Sequence, residues 1–416
     1  MRRPLVVVAG AFVCFGVYWG SWAVATADVE KYTGLSNAGL GLLLSGSVGA
    51  GGIAAAAAGG AMSRSGPDRL LSMFLIPWGI FSIAASLVPG KAAFLASFAL
   101  AVSSAGLVDM AMNSAATVGL GGSAGAMVRF HALFNAGTLC GAGIVAGLVS
   151  GSVSWRWTWL FTGSAAIALA IAARTNGHGI RPEPEISLQD QRGSLDGTAL
   201  VDPPIAPTKG SASFGSSLRA IHAEGLVTLA VTFAITAMVE GGIDTWGVLY
   251  LRTRLATTVL LGAGAYAAGQ LIAAVTRTSG APLMTILGHR RGLVLGAAIA
   301  AVGLLLEASS VNAAVAGCGL ALAAGGISLC WPLTMARLAP PPGSSGPGSS
   351  AERDGSTAVL VGAFTAAGYL GWVIGPAIVG TMSDHVGLRA GLLLLAGLAA
   401  SASATLAVAR QRTAAR

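Results

Sequence analysis

Runs of about twenty apolar residues, divided by short polar loops, recur along almost the whole 416-residue chain. As a helix, a run of that length crosses the hydrocarbon core of a bilayer, ~30 Å thick at a rise of ~1.5 Å per residue. In lipid the backbone must satisfy its own polar groups, so only helices and closed barrels span. The ~10-residue alternation of barrel strands is not seen, and the runs read as helices. Charged residues make up 10% of the chain and apolar ones 54%, against roughly 25% charged in a soluble domain. The expected fold class is an all-α membrane protein with twelve transmembrane helices in two six-helix halves.

The expected spans are residues 5–27, 39–62, 70–88, 92–118, 130–150, 157–173, 226–251, 255–276, 292–306, 313–336, 357–382 and 388–408. Glu307 is read as marking the end of the ninth. Residues 174–224 differ in kind. They carry Arg181, Glu183, Glu185, Asp190, Arg192, Asp196 and Asp202 among several prolines, with too few aliphatic residues to build a core. They read as a polar cytoplasmic linker between an N-terminal half, 1–173, and a C-terminal half, 225–416. The opening MRRPLVVVAG is basic then apolar, like a signal peptide. Its apolar run continues to Ala27 without a persuasive cleavage site, so it reads as a retained first helix.

Loop charges orient the chain. With the N-terminus in the cytoplasm, Lys31, Lys91, Arg156, Arg252, Arg254 and Arg389 are the 6 basic residues outside, and the other 18 of the 24 lie inside. Both termini are thus expected in the cytoplasm. The net charge of +8 does not point to nucleic acid, because the basic residues sit in inter-helix loops and not in a patch with aromatics. Cys14, Cys140, Cys318 and Cys330 lie far apart inside apolar runs, with neither metal nor disulfide spacing, and read as packing residues. The 60 glycines suit a bundle whose backbones approach closely, although codon bias explains them equally well.

Against this apolar background a few polar side chains stand out. Asp109 and Asn113 are four residues apart in the fourth span, so they leave one helix face together. His131 and Asn135 repeat the spacing in the fifth, and Glu240 and Asp244 in the seventh. An ionisable group inside a span is costly in lipid and turns to a protein interior or a watery path. Glu240 and Asp244 could instead lie at the wetted outer end of their helix. A carboxyl on such a path can take up a proton on one side and release it on the other. No phosphate-binding loop offers ATP as an alternative energy source. Asn113, His131, Asn135 and Gln270 could hydrogen-bond a polar solute, or could be glue between helices. Trp19, Trp331, Tyr369 and Trp372 lie deep enough in their spans to stack on a sugar ring or flat heterocycle. Trp155, Trp157 and Trp159, close to a span end, read as interface anchors.

The two halves echo each other. MSRSGPDRL follows the second span and MTILGHRRG the eighth, with Met62/Met284, Gly66/Gly288 and Arg69/Arg291 at one offset. GAGIVAG from Gly141 resembles GPAIVG from Gly375. Six helices, a polar linker and six helices resemble the major facilitator superfamily, whose loop after the second helix reads like G-x-x-x-D-R-x-G-R-R. Here Gly60, Arg64, Gly66 and Arg69 fit, but Ser63 stands where the acid is expected. GTMSDHVGLR, with Asp384 and Arg389, is a fuller copy between the last two spans. These two stretches are the expected gating loops.

Within the superfamily the chain is similar to the fucose-permease-like branch, through Gly106, Asp109 and Asn113, through His131, Phe134, Asn135 and Gly137, and through EGGIDTWGVLYLR from Glu240. That resemblance implies a proton-coupled permease for a sugar-like solute in a bacterial inner membrane, a symporter in which Asp109 takes the proton. Glu240, with Asp244 on the same face, is expected to assist in proton coupling or to bind solute. Proton-driven export of a drug or metabolite by the same scaffold is the alternative. A membrane sensor or an intramembrane enzyme is the remaining class, but no HExxH and no convincing Ser/His/Asp set is present. The expected partners are a small-molecule substrate, protons and the lipid bilayer, with no nucleic acid, no cofactor, no metal and a monomeric chain.

Overall fold

The computed structural model describes residues 3–120, 124–175, 219, 221–223, 225–278, 288–338 and 350–409. The helices run α1 Arg3–Thr33, α2 Asn37–Ser65, α3 Pro67–Leu87, α4 Lys91–Gly119, α5 Ala124–Ser150 and α6 Arg156–Thr175. They continue with α7 Val227–Arg254, α8 Val259–Thr278, α9 His289–Ser309, α10 Ala313–Ile327, α11 Cys330–Leu338, α12 Ser350–Val386 and α13 Leu388–Val408. Helices α10 and α11 together form the tenth span. Most of the expected linker, the loop around Met284 and the Pro/Gly/Ser loop after Leu338 lie outside the described residues.

This is the expected all-α membrane protein. Among the described residues, eleven spans are apolar and long enough to cross a bilayer, with α10 and α11 counted as one. Helix α6, with Arg156 at its head and Arg174 in its last turn, is the twelfth helix of the bundle. Because the spans alternate in direction, α1 begins at the same end of the bundle where α13 finishes. That end is called the terminal end below, and the other the far end.

Glycine decides which helices touch most closely. On Gly16 and Gly20 of α1 a Cβ would fall 2.1 Å from the carbonyl oxygens of Phe134 and Thr138 on α5. On Gly137 and Gly141 of α5 it would meet the carbonyls of Val13 and Val17. The second half repeats this in register. Gly371 and Gly375 of α12 press on the carbonyls of Ala234 and Met238 in α7. The likeness between GAGIVAG and GPAIVG therefore marks equivalent helix contacts. Without a strong hydrophobic drive between helices in lipid, such backbone contact is a main source of cohesion.

The three related loops also share a backbone. Gly66, Gly288 and Gly387 immediately precede α3, α9 and α13 with φ 79°, 73° and 87°. A side chain is strained at positive φ, so glycine is required at each of these helix starts.

Several sequence expectations are corrected. The ninth span does not end at Glu307. Helix α9 runs on to Ser309, and Glu307 is 0% exposed, because its flank packs on Gly319 of α10 and faces Gly247 of α7. The tenth span is not one helix. It breaks at Ser328–Leu329, where Pro332 cannot donate to the Ser328 carbonyl and its ring crowds that oxygen, just after the weak pair Gly325–Gly326. Trp159 is not an interface anchor. It is fully buried, its Nε1 donates to Ser21 Oγ at 2.7 Å, and it stacks on Tyr18 and Phe98. Trp155 is buried as well, and only Trp157 of the three is exposed.

Candidate functional site

The two halves meet near the middle of the spans through named side chains. Asp109, on α4, accepts a hydrogen bond from the Tyr369 hydroxyl of α12 on Oδ2. On Oδ1 it accepts from Asn113 Nδ2 at 3.0 Å, and Asn113 also reaches the Asp109 carbonyl at 2.9 Å. The i, i+4 pair thus shares a face, as its spacing predicts, and Asn113 is turned onto the acid. Each oxygen of the carboxyl has one donor, from opposite halves.

Aromatic rings surround this contact. Tyr369 is 44% exposed and stands edge-on to Trp331, with ring centres 6.1 Å apart. Trp331 stands edge-on to Phe233 of α7 at 4.9 Å, and both rings lie against Gly368. One turn along α12 from Tyr369, Trp372 is edge-on to Trp19 of α1 at 5.5 Å and rests on the backbone at Gly241. Glu240 is the residue before that glycine. Larger residues at Gly241 and Gly368 would push the two tryptophans out of place.

The remaining acids gather inside the second half. Glu240 and Asp244 of α7, Gln270 of α8 and Ser328 at the helix break line a cavity of about 10 Å³, room for about one water. Gln270 Nε2 donates to Asp244 Oδ1 at 3.4 Å. Thr276 Oγ1 and Ser328 Oγ lie 3.3 Å apart beside it. Of the other expected binding residues, Asn135 is only 1% exposed. His131 is half-buried and edge-on to Phe12 at 5.5 Å. The structure therefore gathers Trp19, Asp109, Asn113, Trp331, Tyr369 and Trp372 along the seam. Glu240, Asp244 and Gln270 gather beside it, and Asn135 sits in the packing of α5. A larger apolar hollow of about 730 Å³ lies away from these residues, between α7 and α12 at the terminal end.

At the far end the halves are clasped. Arg252 of α7 grips Asp28 of α1 with both nitrogens, at 2.5 Å to Oδ2 and 3.2 Å to Oδ1, and reaches the Val24 carbonyl at 3.1 Å. Asp384 Oδ2 accepts from the backbone N–H of Ala38, in the first turn of α2, at 3.1 Å. An acid there meets the positive end of the helix dipole. Asp384 is the acid of the GTMSDHVGLR stretch, so that stretch joins the halves. The stretch expected as the inner gating loop lies mostly in helices: Arg69, in the first turn of α3, is exposed, and Gly60 and Arg64, in α2, lie outside the residues whose side chains are described. The Asp28–Arg252 pair was not singled out from sequence. The available signal was opposite charge at the outer ends of the first and seventh spans, which are repeat equivalents.

Residues 7–346 match the family model described as Major Facilitator Superfamily. No curated protein matches the chain. Among solved structures, a bacterial homologue of the human lysosomal transporter Spinster, inward-facing and unoccupied, aligns with TM-score 0.68 at 14% identity, over 98% of this chain and 96% of that one. The nucleoside transporter NupG aligns at 0.67 and 12% identity, over 98% of each chain. The human organic anion transporter MFSD10 (TETRAN) aligns at 0.65 and 17% identity, over 97% of this chain and 99% of that one. At these identities the likeness is one of fold.

Proposed function

The chain belongs to the major facilitator superfamily and is a transporter, not an enzyme, and we propose that it carries a small organic solute by proton-coupled alternating access. The observation that carries this reading is the Asp109 carboxyl, held at the seam by one donor from each half. A group so placed feels both the proton and the relative position of the halves. Losing the Tyr369 contact when the halves move would change the company of one carboxyl oxygen, and with it the hold on a proton. Glu240 and Asp244, beside the broken tenth span, assist. Interrupted helices at mid-membrane are a recurring way to build such sites.

We read the terminal end as cytoplasmic from the loop charges, in a bacterial inner membrane. With that orientation the far-end clasps support an inward-facing arrangement, and the carrier is taken to act as a monomer. Asp384 and Arg389 belong to the outer gate, and Gly60, Arg64, Gly66 and Arg69 to the inner one.

Two cargo readings divide the proposal. Uptake of a sugar-like solute follows from the likeness of Gly106, Asp109 and Asn113 to fucose-permease-like carriers. Asn113 is engaged by Asp109 and Asn135 is buried, which leaves few open hydrogen-bonding groups for a sugar. The aromatic walls from Trp331, Tyr369 and Trp372 favour a flatter, more apolar solute, and with it export. The test is flux in proteoliposomes holding the full chain under an imposed pH gradient, with solutes first selected by thermal shift. Asp109→Asn should abolish gradient-driven flux and keep counterflow exchange. Gradient-driven flux at the full rate in that variant would remove Asp109 from coupling.

A further inference from the structure

The charges along the seam are unbalanced. Every Lys and Arg that falls in one of the helices α1 to α13 lies within two turns of that helix's end. At the seam Asp109 lies mid-helix, at a depth where no helix carries a Lys or Arg position. Rings stand beside this acid in two groups: Tyr369, bonded to Asp109, is edge-on to Trp331, and one turn along α12 Trp372 is edge-on to Trp19 of the other half. Tyr369 keeps 44% of its surface open although its hydroxyl is bonded to Asp109 across the seam, so its ring is open to a ligand.

We propose that this seam binds a small organic cation, an ammonium group on a flat or aromatic body. The inference rests on the reading of the seam as the transport path and adds the charge class of the cargo. The positive group meets a carboxyl and the negative faces of Trp and Tyr rings, the attraction that selects quaternary ammonium ligands. An anion of the same shape would meet the Asp109 carboxyl with no basic helix position at that depth, which is disfavoured. A neutral solute would gain the ring contacts and lose the charge term.

Three probes of similar body separate the cases: benzyltrimethylammonium, benzyl alcohol and benzenesulfonate. Binding to the purified full chain is read by tryptophan fluorescence, supported by calorimetry. The ammonium probe is expected to bind about tenfold more tightly than the alcohol, with no binding of the sulfonate. Asp109→Asn should weaken the ammonium probe severalfold and leave the alcohol unchanged, and Trp372→Leu should weaken both. Glu307→Gln, away from the seam, should leave the preference intact, and melting temperatures show that each variant folds. Equal binding of the three probes, tighter binding of the sulfonate, or no ammonium binding in the millimolar range overturns the proposal. If gradient-driven flux of a neutral or anionic solute is then still abolished by Asp109→Asn, proton coupling stands and only the cargo class falls.

Discussion

Tyr369 of the eleventh span and Asp109 of the fourth, 260 residues apart in sequence, share a hydrogen bond that ties one half of the bundle to the other. Asn113 holds the second oxygen of the same carboxyl from within its own helix. One acid thereby has a permanent neighbour and a neighbour that departs when the halves separate. This arrangement is the core of the proposed coupling, and it can be tested apart from the acid itself.

Tyr369→Phe keeps the ring and removes the hydroxyl. A hydrogen bond to a charged group contributes about 1.5–3 kcal/mol, so gradient-driven flux should fall roughly tenfold or more, with a changed pH profile. Tyr369→Trp should not restore it. Flux and pH profile both unchanged in the Phe variant would show that the contact is incidental.

The Asp28–Arg252 clasp should set how often the far end opens. Both side chains are mostly buried, at 19% and 14% exposed, and the pairing is bidentate, so it should exceed the ~0–1 kcal/mol of a surface pair. Asp28→Asn should raise labelling of a cysteine introduced near Asn37 severalfold. The double variant with Arg252→Gln should add little beyond either single change, as expected for two residues acting through one contact. Strict additivity would mean that the two residues act separately.

Gly371→Ala tests the helix contact in the second half. The new Cβ would lie 2.0 Å from the Ala234 carbonyl oxygen, so α7 and α12 must move apart, at a cost of ~1–3 kcal/mol or more. The melting temperature in detergent should fall clearly. Gly143→Ala is the control, since nothing lies within 4 Å of its Cβ position. Equal melting temperatures for the two variants would contradict the packing described for α12.

Pro332→Ala would supply the missing N–H at the break in the tenth span. Removing an interior proline favours a continuous helix by up to ~3 kcal/mol. The variant should melt higher and transport more slowly, because Ser328 would be drawn away from Gln270 and Asp244. A variant that is both more stable and as fast as the parent would show that the break has no part in turnover.

What the sequence determined on its own follows from local rules. Twenty-residue apolar runs give membrane helices, and i, i+4 spacing puts Asp109 with Asn113 and Glu240 with Asp244. The Gly141 and Gly375 motifs gave the repeat. Each follows from one helix and its solvent. The tertiary structure alone decided partners: Tyr369 for Asp109, Arg252 for Asp28, the α2 terminus for Asp384. It alone buried Glu307 and Trp159, whose positions near span ends suggested a wetter setting, and it alone broke the tenth span. The reason is physical. Helical periodicity fixes the direction of a side chain around its own axis, but not which neighbour faces it. That is set by backbone approach at glycines such as Gly371 and by how two similar halves lean together, and these depend on residues hundreds of positions apart.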